Sequence, residues 1–456
     1  MGLLLSRAAP VAFAFAALLA ISPAADAAPS WGPPAVVGPS SSEMGAPDIA
    51  VAPDGEAVAT WVGSRPERVV ASSKRPGRGW SPPVTIASIG EEVEGPHVAM
   101  SARKAVIVWS DTITTRSGEA QVVLASTRLR GKRWSRPRNI SAERRWREEP
   151  QGREPQVAMT SRGKTFVVWQ AGNEKHRSVS FVGSAIQPAA STDWSPPAGV
   201  RGSYEAEVPQ LALSPAGEAV VIWGAYYNEE SGISVSSRPP NGPWARATGL
   251  GTPGPFPEPR IAMTTRGEAV GTWAETPEGG LESKVRVATR TPGGKWRVKN
   301  LAPESYGIGP RILTEPGGRA SVLWNEWESS DEETIVASRH PPGGPWGEPR
   351  SVAVEGLRLS GLSESPIAVT RQGEAIALWI GDGPLGERRT IFSSSRRRPQ
   401  PWSEPTQVYA SRTGRLWGGP QLALAPDGTA FAAWLCFDGN QWVIKAASRP
   451  AGDSRP

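Results

Sequence analysis

The sequence holds a single cysteine, Cys436, and three histidines in 456 residues. One cysteine excludes a disulfide scaffold and any zinc site built from cysteines. His97, His176 and His340 are isolated in the sequence and share no metal-ligand spacing. Nucleophile elbows, phosphate-binding loops and EF-hand loops are missing as well. We therefore expect neither a metal nor another cofactor.

The sequence also has no large excess of positive or negative residues. Lys and Arg number 50 against 44 Asp and Glu, which gives a formal net charge of +6 that is spread along the sequence. No basic stretch with interleaved aromatic residues is visible, so no nucleic-acid partner is predicted. The 20 tryptophans argue against disorder, because each large ring needs packed surroundings.

A long apolar run occurs only near the start of the sequence. Residues 1–27 resemble a secretory signal peptide, with Arg7, an apolar stretch at 11–21 and the small-residue cleavage site Ala25-Asp26-Ala27. A retained membrane anchor is the alternative, although the run is short for a membrane span. We predict a signal peptide at 1–27 and one domain at 28–456. The mature chain is then expected to be a monomer without a membrane span, secreted or held in the cell envelope.

One phrase recurs through the rest of the chain. It reads approximately P-x-I-A-x-x-x-x-G-E-A-V-x-x-W and, after a variable segment, V-x-A-S-x-R-x-x-G-x-W-S-x-P. The first tryptophan of the phrase recurs at Trp61, Trp109, Trp169, Trp223, Trp273, Trp324, Trp379 and Trp434. The second recurs at Trp31, Trp80, Trp134, Trp194, Trp244, Trp296, Trp346 and Trp402. Eight copies at a period of about 50 residues indicate a repeat fold.

Each copy contains four strand-like runs, which in the first copy are residues 48–52, 57–62, 69–73 and 80–86. The second run is apolar on both faces, which is typical of a strand covered on both sides. No sustained helical periodicity accompanies these runs. The pattern predicts an all-β fold, namely a single eight-bladed β-propeller with four antiparallel strands per blade. An open array, or two four-bladed halves, is the alternative.

The two ends of the repeat region are complementary. Residues 31–37 match a fourth strand without the three strands that should precede it, and the last copy ends after residues 443–448 without a fourth strand. The first segment should therefore complete the last blade and close the ring, which removes the exposed sheet edges of an open array.

The two ends of each blade differ in their connections. The second connection and the crossover to the next blade lie at one end of a four-stranded meander, which we call the loop face. The first and third connections lie at the other end, the turn face. First connections are short and uniform, whereas second connections vary in length and carry polar and aromatic residues. Because variable loops on a repetitive scaffold commonly carry binding sites, we place the site on the loop face near the central channel.

One sequence position is polar in most copies. The residue after the proline that opens each copy is, in order, Asp48, His97, Gln156, Gln210, Arg260, Arg311, Ile367 and Gln421. The seven polar residues are predicted to bind ligand at the channel mouth, with a solvated rim as the alternative. Arg260 and Arg311 could clamp a carboxylate from neighbouring blades.

Four tryptophans lie outside the repeat pattern. Trp327 and Trp442 fall in or beside second connections, and Trp146 and Trp417 fall in crossovers. We include Trp327 and Trp442 among the predicted ligand-binding residues, because exposed aromatic rings stack on sugars or anchor protein partners. Packing of one loop on another is the alternative.

The connection between third and fourth strands resembles the Asp-box of sialidases and other BNR-repeat propellers, S-x-D-x-G-x-x-W. Residues 73–80 keep its Ser, Gly and Trp, with Arg75 in place of the Asp. Residues 289–296 keep a similar frame with Gly293, whereas residues 237–244 have Asn241 in place of the Gly. The resemblance implies a propeller and, in an active enzyme, a Tyr–Glu nucleophile pair with a carboxylic acid/base. The catalytic candidates would then be Tyr226, Glu229, Glu230 and Asp111.

These observations favour a binding module over an enzyme, because no complete catalytic constellation is visible. The leading hypothesis is a secreted propeller that recognises a glycan or an extracellular protein on its loop face. The alternatives are a sialidase-like exo-glycosidase acting at the channel mouth, and a structural cell-envelope protein without a small-molecule site.

Overall fold

A computed structural model describes most of the chain. The described residues are 30–40, 46–63, 67–89, 93–115, 118–142, 151–173, 176–203, 205–227, 230–251, 259–275, 283–302, 307–329, 332–352, 366–382, 389–397 and 400–452. The predicted signal peptide at 1–27 lies outside them.

Thirty-two strands form eight four-stranded antiparallel sheets, and each sheet is one blade of a ring. Blades 1 and 2 comprise β2 (Asp48–Val51), β3 (Ala57–Gly63), β4 (Arg68–Lys74), β5 (Val84–Ser88), β6 (Val93–Met100), β7 (Lys104–Thr115), β8 (Gly118–Leu129) and β9 (Arg138–Asn139). Blades 3 and 4 comprise β10 (Gln151–Met159), β11 (Thr165–Asn173), β12 (His176–Gln187), β13 (Ala198–Gly199), β14 (Ala206–Leu213), β15 (Ala219–Tyr227), β16 (Glu230–Arg238) and β17 (Thr248–Gly251).

The second half of the ring repeats the same order of strands. Blades 5 and 6 comprise β18 (Arg260–Met263), β19 (Ala269–Glu275), β20 (Lys284–Arg290), β21 (Arg297–Ala302), β22 (Ile308–Glu315), β23 (Arg319–Ser329), β24 (Glu332–His340) and β25 (Arg350–Ser351). Blades 7 and 8 comprise β26 (Ile367–Val369), β27 (Glu374–Asp382), β28 (Arg389–Arg397), β29 (Thr406–Ala410), β30 (Leu416–Leu424), β31 (Ala430–Phe437), β32 (Trp442–Arg449) and β1 (Ala35–Pro39). The predicted eight-bladed, all-β propeller is confirmed.

The last blade is completed by the first strand, as predicted. In that sheet the strand order is β1-β32-β31-β30, and Ala35 and Pro39 lie opposite Ala446 and Val443. The Gly32 amide also donates to the Ser448 carbonyl at 2.9 Å. The fourth strand of the first blade, in contrast, begins later than predicted, at Val84 instead of Trp80. Its preceding residues, Pro82 and Pro83, have no N–H for the ladder, so regular pairing starts only after them.

The hydrophobic core is divided among the eight contacts between neighbouring blades. The first tryptophan of every copy is at most 2% exposed. Trp109 of blade 2, for example, packs against Val58, Val69 and Ile86 of blade 1. Trp61 of blade 1 packs in the same way against Leu435 and Ile444 of blade 8, so the ring is closed by an equivalent core. Every residue of β3 is buried, because blades cover this second strand on both sides.

Polar side chains join neighbouring blades near the turn face. A residue at the start of a second strand pairs with a residue at the end of the third strand of the next blade. We call each such pair an inter-blade latch. The pairs are Glu56–Arg128 (2.9 Å), Lys104–Gln187 (2.6 Å), Glu218–Arg290 (2.6 Å), Glu268–His340 (2.9 Å) and Glu374–Arg449 (2.6 Å). Two of the cationic members stack on a tryptophan of their own blade, namely Arg128 on Trp134 at 5.2 Å and Arg290 on Trp296 at 5.4 Å.

Within the described ranges, no helix has the length and apolar character needed to cross a bilayer.

Candidate functional site at the channel mouth

Within the described residues, the innermost strands of five blades extend toward the loop face through a break in regular pairing. These strands are β6, β10, β14, β22 and β30. In each of them a proline interrupts the ladder, since it has no N–H to donate. The residues before two of these prolines, Glu154 (φ 49°) and Val208 (φ 47°), adopt the left-handed conformation. Such bulges redirect side chains, and here they separate two levels of residues along the channel.

The lower level, which we call the inner ring, contains the predicted polar residues. Each lies opposite the residue that precedes the core tryptophan on the second strand. The members are Asp48, His97, Gln156, Gln210, Arg260, Arg311 and Gln421, and all are half-buried. The structure therefore brings the seven residues to one level of the channel. Their binding of a ligand stays a prediction.

Blade 7 departs from the predicted alignment. Ile367 lies opposite Ala377, two residues before Trp379, and therefore corresponds to Ile49 of blade 1 and not to Asp48. Pro366 takes the inner-ring place, where its carbonyl accepts a hydrogen bond from the Leu378 amide at 3.1 Å. The copy has lost one residue after its opening proline, so this blade contributes no polar side chain to the ring.

Asp48 holds blade 1 to blade 2. Its carboxylate accepts hydrogen bonds from the Ile49 amide at 2.8 Å and from the Val98 amide of the next blade at 2.7 Å. His97 Nδ1 lies 3.6 Å from the same carboxylate. Two backbone donors engage this carboxylate within the fold, so Asp48 has a structural role whether or not a ligand binds.

Arg260 and Arg311 lie at equivalent places on neighbouring innermost strands, β18 and β22, which pack against each other. Both guanidinium side chains are half-buried. Arg260 Nη1 donates to the Pro259 carbonyl at 3.3 Å. This placement suits the predicted clamp on a carboxylate, because planar guanidinium groups bind carboxylates in a bidentate manner.

The upper level, the mouth ring, lies opposite the residue that follows each core tryptophan. Its described side chains are Glu94, Arg153, Glu207 and Trp417. Trp417 is 47% exposed. Among the tryptophans whose side chains the structure describes, no other is as exposed. The sequence places Trp417 in a crossover, but it belongs to the innermost strand β30. Its position outside the repeat pattern was the only signal that could have identified it.

Carboxylates link three consecutive blades at the mouth ring. Glu94 Oε2 accepts a hydrogen bond from the Glu154 amide at 2.7 Å, and Glu154 Oε2 accepts one from the Val208 amide at 3.0 Å. Burial, and next the negative charge of Glu94, raise the pKa of the Glu154 carboxyl above its ordinary value. Burial also raises the pKa of Glu207. Carboxyls of this kind keep a proton to higher pH and can donate it to a ligand oxygen.

The role of the catalytic candidates stays a prediction, because Asp111 is the only one whose side chain the structure describes. Asp111 is 3% exposed in β7, opposite Val93 and Val122, so its carboxylate does not face the channel solvent. Tyr226 and Glu230 are placed by their backbone at the loop-face ends of β15 and β16. Glu229 lies outside the described residues.

The two predicted aromatic ligand-binding residues occupy loop-face ends of strands. The backbone of Trp327 lies in β23, opposite Glu333. Trp442 is half-buried in β32 and makes an edge contact with Phe437, with 5.6 Å between ring centroids. The side chain of Trp442 therefore contacts its own blade, and its binding of a ligand stays a prediction. No group of three or more His, Cys, Asp or Glu suited to a metal ion occurs in the part of the chain that the structure describes.

Comparisons with known proteins give similarity only at low sequence identity. No family model and no curated protein matches the chain. Among solved structures, a PL25 ulvan lyase bound to -[GlcA(1-4)Rha3S]- is 12% identical with a TM-score of 0.47, and the alignment covers 94% of this chain and 95% of that one. A leech intramolecular trans-sialidase is 10% identical with a TM-score of 0.41, covering 92% and 94%. The GH93 α-L-arabinofuranosidase of Fusarium graminearum is 13% identical with a TM-score of 0.42, covering 66% and 93%.

Proposed function

We propose that the protein binds a carbohydrate at the mouth of its central channel, on the loop face. The observation that carries this proposal is Trp417, an aromatic side chain 47% exposed on an innermost strand. Tryptophan side chains are highly buried on average, so an indole this exposed is unusual. An exposed indole at a polar channel mouth is suited to stacking on the apolar face of a sugar.

Polar residues of other blades at the channel mouth supply the hydrogen-bonding groups that hydroxyls require. Glu94, Arg153 and Glu207 occupy the same level as Trp417 in other blades, and Gln421 lies one level below it on the same strand. A site with one apolar platform and several polar groups fixes both the position and the orientation of a ligand. The inner ring, with Arg260 and Arg311, would favour a sugar that carries a carboxylate.

The experiment measures binding to a broad glycan panel and then affinity for the best ligand by calorimetry. Trp417→Ala is expected to weaken binding about fivefold or more, since loss of a stacked ring costs on the order of 1 kcal/mol or more. Trp417→Phe keeps an aromatic face and is the matched control, for which most of the affinity should remain. Val298→Ala removes an exposed apolar side chain on the outer strand β21 and should change nothing.

Three results would decide against carbohydrate binding in this form. Lack of saturable binding across the panel would contradict it directly. Capture of a protein partner that depends on Trp417 would favour the protein-binding alternative. Hydrolysis of a glycoside that is lost in Glu154→Gln would favour the glycosidase alternative, because the raised pKa of Glu154 suits a general acid.

A further inference from the structure

Positive charge that is spread along the sequence is gathered in the fold between blades 1 and 2. Two adjoining cavities lie there, of about 570 and 450 Å³, and both are lined by Arg128 and Lys132. We call these two cavities together the basic groove. It runs from the turn face over the outer rim, away from the channel mouth. The first and third connections of both blades supply its turn-face part.

The lining of the groove is strongly cationic. Among the described lining residues, the larger cavity has four cationic side chains and no carboxylate, and the smaller one has six cationic and two acidic side chains. Both acids are neutralised: Asp54 pairs with Arg130 at 2.8 Å, and Glu56 with Arg128 at 2.9 Å. Five exposed cations are left without an ion pair in the described part of the chain, namely Arg75, Arg103, Lys132, Arg133 and Arg136.

The floor of the groove is apolar. Val58, Val84, Ile86 and Trp134 line the larger cavity, and Val84 is 50% exposed. An apolar floor between rows of cations fits a molecule with flat apolar faces and charged edges. An equivalent cavity between blades 3 and 4, of about 630 Å³, holds the acid Asp193 and only three cationic side chains. Among these three cavities, the two of the basic groove together gather the most cationic side chains.

We propose that the basic groove binds a linear anionic polysaccharide, one that carries carboxylate or sulfate groups. Such a polymer is extended, so it can lie along a cleft between two blades, with sugar rings on the apolar floor and acidic groups on the cations. A flat anionic membrane fits less well, because the cationic side chains line a recessed cleft and its apolar side chains form the floor. Cationic surfaces of this kind bind polyanions with release of counterions and a strong dependence on salt.

The test measures affinity for heparin, used as a sulfated linear probe, against uncharged dextran. The groove variant combines Lys132→Ser, Arg133→Ser and Arg136→Ser. The control variant combines Arg162→Ser, Arg266→Ser and Arg371→Ser, three exposed cations in the first connections of other blades on the same turn face. Both variants remove the same charge. At about 0.1 M salt, the groove variant should weaken heparin binding about tenfold or more, and the control variant less than about threefold.

The outcomes separate this proposal from its alternatives. Equal losses in the two triple variants would show a response to net charge alone and would overturn it. Binding to vesicles of phosphatidylglycerol and phosphatidylcholine without binding to heparin would also overturn it, in favour of a membrane. Trp417→Ala should leave heparin binding unchanged, so failure of the channel-mouth proposal and failure of this one are distinguishable. Unchanged thermal melting of the groove variant confirms that exposed side chains alone were altered.

Discussion

Lys104 forms the one inter-blade latch that has no carboxylate. Its ammonium group donates to Gln187 Oε1 at 2.6 Å and to the Pro188 carbonyl at 2.8 Å, whereas the other four latches contain a glutamate. The residue is 2% exposed. Burial lowers the pKa of Lys104 to about 8, because neutral acceptors compensate a buried charge incompletely. The interface of blades 2 and 3 therefore contains a charge that is unfavourable below this pH.

This charge gives the free energy of unfolding a defined pH dependence. Between pH 8 and the ordinary pKa of lysine, the unfolded chain holds the proton that the folded chain has released, so stability should rise with pH. The contribution is at most about 3 kcal/mol across this window. In Lys104→Met the contribution is absent. Denaturant unfolding at pH 7.5 to 10 should therefore show wild type gaining stability relative to this variant.

The matched control for Lys104 is Lys132→Met, which removes an exposed lysine from a neighbouring connection. Its unfolding free energy should follow the wild-type pH profile. Parallel profiles for wild type and Lys104→Met would show that the buried ammonium does not titrate in this range.

Single residues also mark the limit of what the sequence predicts. The latches join residues 72 to 83 positions apart, and each partner alone resembles ordinary turn chemistry. The sequence likewise does not indicate that the Glu154 amide donates to Glu94, a contact made by a residue with left-handed backbone between the inner ring and the mouth ring. Only the closed ring brings such partners together.

At the scale of elements, close packing between second and third strands restricts side-chain size. In blade 3, a Cβ atom on Gly183 of β12 would lie 2.4 Å from Nε1 of Trp169 on β11. The core tryptophan therefore lies directly over a glycine in this blade. The strand has no free space there, because protein interiors are close-packed.

Gly183→Ala should accordingly lower the free energy of unfolding by about 1–3 kcal/mol, the usual cost of overpacking a core. Thermal or denaturant unfolding measures the effect. The matched control is Gly249→Ala in the outer strand β17, where an added Cβ meets nothing within 4 Å. Equal stability of the two variants would contradict the packing argument.

The strands themselves were largely predictable, but some of their limits and registers were not. The tryptophan period fixed the number of copies, and the apolar second strands are buried as expected. The prolines at 82 and 83 delayed β5, and one missing residue shifted the register of β26. A repeat phrase locates strands, whereas single prolines and deletions decide where their pairing starts.

For the whole molecule, closure depends on β1. This strand adds the fourth member to blade 8 and places Val37, which is 4% exposed, in the core beside Trp61. Trp61 Nε1 also donates to the Pro39 carbonyl at 2.8 Å. Loss of β1 would remove Val37 from the core at this junction and leave β32 as an unpaired edge.

Deletion of residues 30–40 should therefore lower the melting temperature by several degrees, since burial of one valine alone contributes about 1.5–3 kcal/mol. The unpaired edge should also promote self-association, which size-exclusion chromatography detects. Val36→Thr, at a position 58% exposed on the same strand, is the control and should leave both properties unchanged. A deletion variant that melts like wild type as a monomer would show that the ring does not need this closure.

The shared blade also sets an order of events during biosynthesis. The residues of β1 leave the ribosome first among the described strands, but their partners in β32 are made last. Joining ends so far apart carries a loop-closure entropy on the order of 5 kcal/mol, so this pairing should come late in folding. Until then the nascent chain can fold its middle blades, but it cannot pair β1 with β32. Ring closure is therefore possible only after the whole repeat region has been synthesised.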